Sequence, residues 1–190
     1  ISVDTAKEEI EELLYNNATS FEIAKVIKKH LNNYFGTLEN RFRKSGGKDF
    51  LVQHTKHIDG ILQIIYHTSL REAFGPYLPM KHSIPIALVA LGSYGREQLC
   101  VHSDIDLMIV YEEIEGYNTK VLIEKMLYIL WDTGLKLGHR VHTTKELFDV
   151  SKTDITIKTA LLESRFIEGS KSIWTETQNI LNAMRHDKPE

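Results

Sequence analysis

Two short apolar segments joined by a glycine-serine turn constrain the fold of this chain more than any other feature. The segment from Ile84 to Tyr111 reads IPIALVALGSYGREQLCVHSDIDLMIVY. The run from Pro85 to Leu91 is apolar and bounded by proline and glycine, which is typical of a buried strand. The run from Ile105 to Val110 has the same character. We therefore expect a strand, a turn and a second strand at the centre of the fold.

The turn between the two strands contains the sequence Gly-Ser-Tyr-Gly, from Gly92 to Gly95. Glycine allows the backbone to bend sharply and to approach a ligand closely. We expect the next residues, Arg96 to Leu99, to begin a helix whose N–H groups face the turn and favour an anion. Gly92, Ser93 and Gly95 are therefore the predicted phosphate-binding residues. Arg96 either contacts a phosphate as well or forms an ion pair with an acid such as Asp104.

Two aspartates open the second strand. Residues two apart in a strand point to the same face, so Asp104 and Asp106 share one face, whereas Ile105, Leu107 and Ile109 share the other. Two carboxylates this close disfavour each other's ionisation unless a cation neutralises them. Mg²⁺ suits such a pair, because it binds through one or two carboxylates plus substrate phosphates. Solvated acids that cap the strand are the less favoured interpretation.

The combination of Gly-Ser, a short spacer and Asp-x-Asp on an apolar strand resembles the polymerase-beta-like nucleotidyltransferase superfamily. ALVALGSYGREQLCVHSDIDLMIVY is similar to the N-terminal nucleotidyltransferase domain of the bacterial PII uridylyltransferases, also called uridylyl-removing enzymes. The downstream segment LYILWDTGLKLGHRVHTTKELFDVSKTDITIKTALLESRFIEGS is similar in order and spacing. The resemblance covers the middle and last thirds of the chain.

This resemblance implies a Mg²⁺-dependent enzyme that transfers UMP from UTP to a tyrosine hydroxyl of the PII signal protein and releases pyrophosphate. It implies that Asp104 and Asp106 are the catalytic residues and hold the metal. It places Gly92, Ser93, Gly95 and Arg96 around the nucleotide phosphates. The resemblance concerns UMP transfer alone; we do not infer for these residues the UMP removal and glutamine sensing that full-length members of the family also perform.

The sequence departs from the superfamily pattern on the next predicted strand. That superfamily often supplies a third carboxylate there, but the segment LKLGHRVH contains no acid. Gly138 stands where an acid is expected, and His142 stands where the uridylyltransferases usually have an arginine. Three explanations stay open: two aspartates suffice, or Arg140 and His142 take over phosphate or base roles, or activity is weak.

The remaining sequence predicts mostly helices, so the expected fold is α+β (α/β-like), with a small mixed sheet and helices packed on it. Residues 1–80 are the predicted N-terminal helical extension, and residues 81–190 are the predicted nucleotidyltransferase core with its C-terminal helices. A third strand is expected from Leu135 to His142. The first predicted helix ends at about Tyr15, the second begins at a capping box formed by Thr19 and Glu22, and the third runs from Phe50 to Phe74. Further helices are predicted from Thr119 to Asp132, from a cap at Thr143 or Thr144, from Thr153 through Phe166, and from Lys171 to Met184.

Composition narrows the possible partners and the compartment. The formal net charge is −3, with both signs mixed along the chain, which argues against a nucleic-acid partner. Cys100 is the single cysteine, so an internal disulfide is impossible and a reducing cytoplasm is the expected location. The sequence has neither a long apolar stretch nor a signal-peptide pattern, and we expect no membrane association. The chain begins with Ile1 rather than methionine, which is compatible with a piece of a longer protein.

Two other functions stay open on the sequence alone. The first keeps the nucleotidyltransferase chemistry but uses another nucleotide or another acceptor, because no residue of the turn specifies uracil. The second is a degenerate nucleotide-binding regulatory module, which the missing third acid favours and the intact Gly92, Ser93, Asp104 and Asp106 oppose. Metal-dependent turnover separates the two.

Overall fold

The computed structural model describes residues 3–75 and 83–186. Within these residues, helices and strands alternate after three long N-terminal helices. The helices are α1 (Val3–Tyr15), α2 (Ser20–Ser45), α3 (Gly47–Phe74), α4 (Gly92–Gly95), α5 (Thr119–Asp132), α6 (Thr144–Thr153), α7 (Ile155–Leu161) and α8 (Lys171–His186). The strands are β1 (Ile86–Ala90), β2 (Ile105–Tyr111), β3 (Leu137–Thr143) and β4 (Arg165–Gly169).

The four strands form one mixed sheet in the order β3-β2-β1-β4. β1 pairs antiparallel with both β2 and β4, and β2 pairs parallel with β3. A parallel pair needs a long connection, commonly a helix, and α5 lies in the connection between β2 and β3. The expected α+β class with a small mixed sheet is therefore confirmed.

The C-terminal helices cover one face of this sheet. Alternate residues of β1 and β2 are fully buried there, because strand side chains point to the two faces in turn. Three helices supply the rest of this core. Its buried members are Ala87, Val89, Leu91, Met108, Val110, Leu147, Ile157, Leu161, Ile173, Ile180, Leu181 and Met184.

Several local predictions are confirmed. α5 has the predicted bounds, and β1 and β2 lie within one residue of the predicted strands. The capping box at Thr19 and Glu22 starts α2: the Glu22 N–H donates to Thr19 Oγ1, and the Thr19 N–H donates to the Glu22 carboxylate. Thr143, one of the two predicted caps, starts α6 in the same way.

Two local predictions are wrong. The helix predicted through Phe166 ends at Leu161, and Arg165–Gly169 forms the edge strand β4, because pairing with β1 decides its conformation. The helix predicted from Arg96 to Leu99 is absent; the helical turn is Gly92–Gly95 itself, and Glu97 adopts a left-handed conformation with φ 58° that ends it. The segment Gly75-Pro76-Tyr77-Leu78-Pro79, whose glycine and prolines predict a break before the first strand, lies mostly outside the described residues.

By their contacts, the described residues group into a helical unit and an α/β unit. The helical unit comprises 3–75, 97–104 and 120–136, and the α/β unit comprises 83–96, 105–119 and 137–186. The predicted domain boundary at residue 80 stays a prediction. In the part of the chain that the structure describes, no helix is both long and apolar enough to cross a membrane.

The helical unit buries a cluster of histidines between α2 and α3. His30, His54 and His57 are all nearly inaccessible, together with Tyr34. The Tyr34 hydroxyl is hydrogen bonded to His54 Nδ1 at 2.8 Å, and the Nε2 atoms of His30 and His57 lie 3.3 Å apart. The His57 ring stacks on Tyr34 at a centroid distance of 3.6 Å. These contacts show that the histidines pack α2 against α3.

Candidate active site

Asp104 and Asp106 lie at the start of β2, as the sequence predicts. Both are exposed, whereas Ile105 and Leu107 are buried, so exposure alternates along the chain as a strand requires. Asp106 shares its face with Met108 and Val110, which are buried under the C-terminal helices. The Asp106 carboxylate is therefore at the open end of an otherwise covered sheet face.

The Asp106 carboxylate lies between two glycines of the α/β unit. A Cβ added to Gly92 would lie 3.1 Å from Asp106 Oδ2, and a Cβ added to Gly138 would lie 3.1 Å from Asp106 Oδ1. Gly92 also has φ +59°, a conformation that side-chain-bearing residues rarely adopt. The Gly-Ser turn and β3 thus approach both carboxylate oxygens as closely as backbone can. A side chain at either position would crowd the carboxylate, so the two glycines keep its oxygens clear of side chains, as an oxygen-liganded cation such as Mg²⁺ would require.

The predicted phosphate turn is a single turn of helix, α4. The Gly95 N–H donates to the Leu91 carbonyl and the Arg96 N–H donates to the Gly92 carbonyl, both at 3.0 Å. The first N–H groups of a helix have no partner within it, and here these belong to Gly92 and Ser93. Gly92, at the start of the turn, lies beside Asp106, whereas Gly95, at its end, lies against the backbone of Glu163 and Ala90. The candidate phosphate-binding groups are those of the turn itself, because the longer helix predicted behind it is absent.

Arg96 pairs with Glu163, and not with Asp104. Its Nη1 forms a salt bridge to Glu163 Oε2, between side chains that are 43% and 35% exposed. Of the two roles expected for Arg96, the structure shows an ion pair with an acid that the sequence did not single out.

The backbone of Glu163 explains why residue 95 is glycine. A Cβ added to Gly95 would lie 2.0 Å from the carbonyl oxygen of Glu163 and 3.0 Å from that of Ala90. No side chain fits in that space. Gly95 therefore lets the segment before β4 pack directly against the turn, a requirement separate from ligand binding.

Arg165 is a second residue that sequence reasoning missed. Its Nη2 donates to the Tyr94 carbonyl at 3.1 Å, and its guanidinium lies 5.3 Å from the centroid of the fully buried Tyr94 ring. Both Glu163 and Arg165 belong to the similar downstream segment, in the letters ESR. The signal in the sequence is the pair of opposite charges, Glu163 and Arg165, directly before the short apolar run that forms β4.

The register of β3 places Arg140 and His142, the two candidates to replace a third acid, at different distances from Asp106. Gly138 pairs with Asp106, Arg140 with Met108 and His142 with Val110. His142 lies four positions beyond Gly138, or about 13 Å along the strand at roughly 3.3 Å per residue. Burial lowers the pKa of His142, aided by Arg140 and opposed by Glu146. His142 is therefore too far along β3 to act on Asp106, whereas Arg140 lies two positions away on the same face.

Comparison with known proteins agrees with this geometry. Residues 52–138 match the family described as "Putative nucleotidyltransferase DUF294". A bifunctional uridylyltransferase/uridylyl-removing enzyme from Azospirillum brasilense is 34% identical over 145 residues, which cover 76% of this chain. Residues 52–138 therefore belong to a nucleotidyltransferase domain. Proteins of the same name from Methylococcus capsulatus and Erythrobacter litoralis are 33% and 29% identical over 82% of this chain.

The chain spans only a small part of these relatives. The matched region covers 15% of the Azospirillum protein and 17% of the other two.

The metal ligands available to the nucleotidyltransferase are few. The described residues contain no group of three or more histidine, cysteine, aspartate or glutamate side chains placed to hold a metal. A site of two carboxylates completed by substrate phosphates is the form that Mg²⁺ commonly takes. Asp106 belongs to the α/β unit, and Asp104 ends a segment of the helical unit. The joint role of the two aspartates stays a prediction from their spacing.

The helical unit of the nucleotidyltransferase also contains a cavity of about 700 Å³. It lies between the α1–α2 turn and the end of α3, with Tyr15, Ser20 and Arg71 among its lining residues. None of the predicted site residues lines it.

Proposed function

We propose that this chain transfers UMP from UTP to a tyrosine of the PII signal protein in a Mg²⁺-dependent reaction that releases pyrophosphate. The observation that carries the proposal is the Asp106 carboxylate held between the Gly92 turn and Gly138. The uridylyltransferase relatives support the choice of UTP, and the sequence resemblance supports PII as the acceptor.

Asp106 and Asp104 are the residues that would hold Mg²⁺. When bound, the metal supplies positive charge that neutralises the nucleotide phosphates and the developing charge on the leaving group. Both carboxylates are exposed in the structure, so an ion reaches them without unfolding of the sheet.

The turn orients the nucleotide. The Gly92 and Ser93 N–H groups and the Ser93 hydroxyl donate hydrogen bonds to phosphate oxygens, and their positions are fixed by the backbone before the substrate arrives. Donors fixed in advance stabilise transition-state charge without reorganisation. Arg96, held at the end of the turn by Glu163, adds positive charge on the same side.

The chemical step is a displacement at the α-phosphorus of UTP. The tyrosine oxygen forms a bond to this phosphorus, the bond to the pyrophosphate oxygen breaks, and the phenolic proton leaves for solvent. A tyrosine hydroxyl has a pKa near 10, so turnover should rise with pH above neutrality. This expectation follows from β3, which places no carboxylate next to Asp106 and keeps His142 about 13 Å along the strand.

The proposal is tested by incubating the chain with PII, Mg²⁺ and labelled UTP or ATP. We expect label from UTP on PII, reduced at least 100-fold in Asp106→Asn and in Asp104→Asn. Asp149→Asn, an exposed aspartate on α6, is the matched control and should keep wild-type activity. Full activity of Asp106→Asn would refute the site assignment. Transfer from ATP instead, or to another acceptor, would leave the site intact and change the substrate.

A degenerate nucleotide-binding module is the second candidate function, and Gly138 is the observation that favours it. Such a module binds UTP with Mg²⁺ but transfers no UMP to PII or to other acceptors. Calorimetric binding of UTP that is lost in Asp106→Asn, without turnover in wild type, would identify it.

A further inference from the structure

The residues from Glu163 to Arg165, which lead into β4, contact the Gly92–Gly95 turn and its neighbour Arg96. We propose that Glu163 and Arg165 are positioning residues for nucleotide binding: they fix the conformation of Gly92–Gly95 without touching the substrate. This inference rests on the proposed function, in which that turn binds the phosphates.

The turn needs support from outside itself. An isolated helical turn is unstable, because fixing the first turn orders several residues for very few hydrogen bonds. α4 has only four residues and is followed by Glu97 in a left-handed conformation. Its conformation therefore depends on the residues packed around it.

Three contacts from Glu163 and Arg165 supply this support. The Glu163 carbonyl fills the space that a side chain on Gly95 would need. The Glu163 carboxylate pairs with Arg96. The Arg165 guanidinium donates to the Tyr94 carbonyl at 3.1 Å and packs over the Tyr94 ring. All three contacts meet the last residues of the turn, whereas Gly92, at its start, meets Asp106.

The positive charge of Arg165 is placed where the turn can use it. The carbonyl groups at the end of a helix carry partial negative charge, which a cation stabilises. Arg165 occupies this end through the Tyr94 carbonyl. The N–H groups of Gly92 and Ser93 at the other end stay available for an anion.

The salt bridge between Arg96 and Glu163 has little value as a stabilising contact. Both side chains are more than one third exposed, and ion pairs at such positions contribute little to folding stability because solvent screens them. Its effect is to restrict where the Arg96 guanidinium lies. Loss of the pair should therefore change nucleotide affinity more than stability.

The experiment measures UTP binding by calorimetry, and KM and kcat for UTP, in the full chain with Mg²⁺. Glu163→Gln keeps the backbone carbonyl and the side-chain shape but removes the charge. We expect the Kd and the KM for UTP to rise about two- to fivefold, because a partly exposed ion pair restricts the Arg96 guanidinium only weakly. We expect kcat and the thermal midpoint to stay at their wild-type values.

Arg165→Gln should raise the same constants by a similar factor, and Arg165→Lys should recover part of the loss. The matched control is Arg185→Gln, because Arg185 also donates to a backbone carbonyl, that of Leu162 at 3.4 Å, but does not contact the turn. Arg185→Gln should leave UTP binding unchanged. Since Arg165 is partly buried and its loss can destabilise the fold, the exposed Glu163 variant provides the decisive comparison.

The outcomes separate this inference from the proposed function. Wild-type UTP affinity in Glu163→Gln, or tighter binding because Arg96 is released, overturns the positioning role. Binding of UTP without transfer in wild type overturns the transferase, while the variants' Kd values still decide the positioning role. A wild-type chain that neither binds nor transfers UTP overturns both.

Discussion

Mild acid should destabilise the helical unit because of its buried histidines. Burial lowers the pKa of His54 to about 4, and it lowers the pKa of His57 to about 3 with help from His30, His54 and Arg41. Burial also lowers the pKa of His30, with Glu9 opposing the shift. In the unfolded chain a histidine titrates near 6.5. The unfolded state therefore binds more protons below pH 6.5, and stability is lost as the pH falls through 6.5 toward 4 and 3.

The pKa values of His54 and His57 set the size of this loss. At pH 5, a histidine with an unfolded pKa near 6.5 and a folded pKa of 4 or below costs about 2 kcal/mol relative to pH 7.5. His54 and His57 together therefore cost about 4 kcal/mol, a large share of the roughly 5–15 kcal/mol that stabilises most domains. His30 adds to the loss in the same direction.

The assay is urea unfolding followed by circular dichroism at pH 7.5 and pH 5.0, in wild type and in His57→Phe. Phenylalanine keeps the ring that stacks on Tyr34 but cannot take up a proton. We expect His57→Phe to lose about 2 kcal/mol less than wild type between the two pH values. Titrating groups far from His57 contribute equally to both proteins and cancel; His30, whose Nε2 lies 3.3 Å from that of His57, is the exception. Equal losses in the two proteins would show that His57 is not held neutral by burial.

Three further changes test other parts of the structure. Gly95→Ala should destabilise the α/β unit by about 1–3 kcal/mol in urea unfolding, because the added Cβ overlaps the Glu163 carbonyl. The control is Gly36→Ala at an exposed helical position, where the added Cβ meets no atom within 4 Å; it should stabilise the protein by about 0.5–1 kcal/mol. Gly138→Asp should tighten Mg²⁺ binding in calorimetry without nucleotide, because it adds a carboxylate beside Asp106, and unchanged affinity would contradict the assigned register. A hydrogen bond to Glu112, with burial and the Glu112 charge, raises the pKa of Glu176 from 4.5 to about 7, so its stabilising contribution should be lost as the pH rises from about 4.5 to about 7, and Glu176→Gln should abolish that loss.

Local patterns predicted most of the fold. The apolar runs of β1 and β2, the periodicity of α5 and the capping box at Thr19 each depend on residues close in sequence, so the sequence alone reveals them. The alternation of Asp104, Ile105 and Asp106 likewise follows from strand geometry. These features determined where the candidate site would lie.

Long-range contacts account for what was missed. β4 has a strand conformation because it pairs with β1, which is about 75 residues earlier in the chain by the pairing of Ala90 with Arg165. The partners of the phosphate turn, Glu163 and Arg165, come with that strand and were missed with it. Trp131, a large residue of a type that is usually well buried, is 52% exposed beside Tyr128 on α5. No local pattern specifies these outcomes.

The division of the chain into two interleaved units has a consequence for protein engineering. The described segments alternate between the helical and the α/β unit in the order 3–75, 83–96, 97–104, 105–119, 120–136 and 137–186, so six segments give five crossings. Neither unit is a continuous piece of sequence. A cut near residue 80 would remove α1, α2 and α3 but leave 97–104 and 120–136 without the rest of their unit. Exchange of the β-sheet between relatives should therefore succeed only when the interleaved segments 97–104 and 120–136 are exchanged with it.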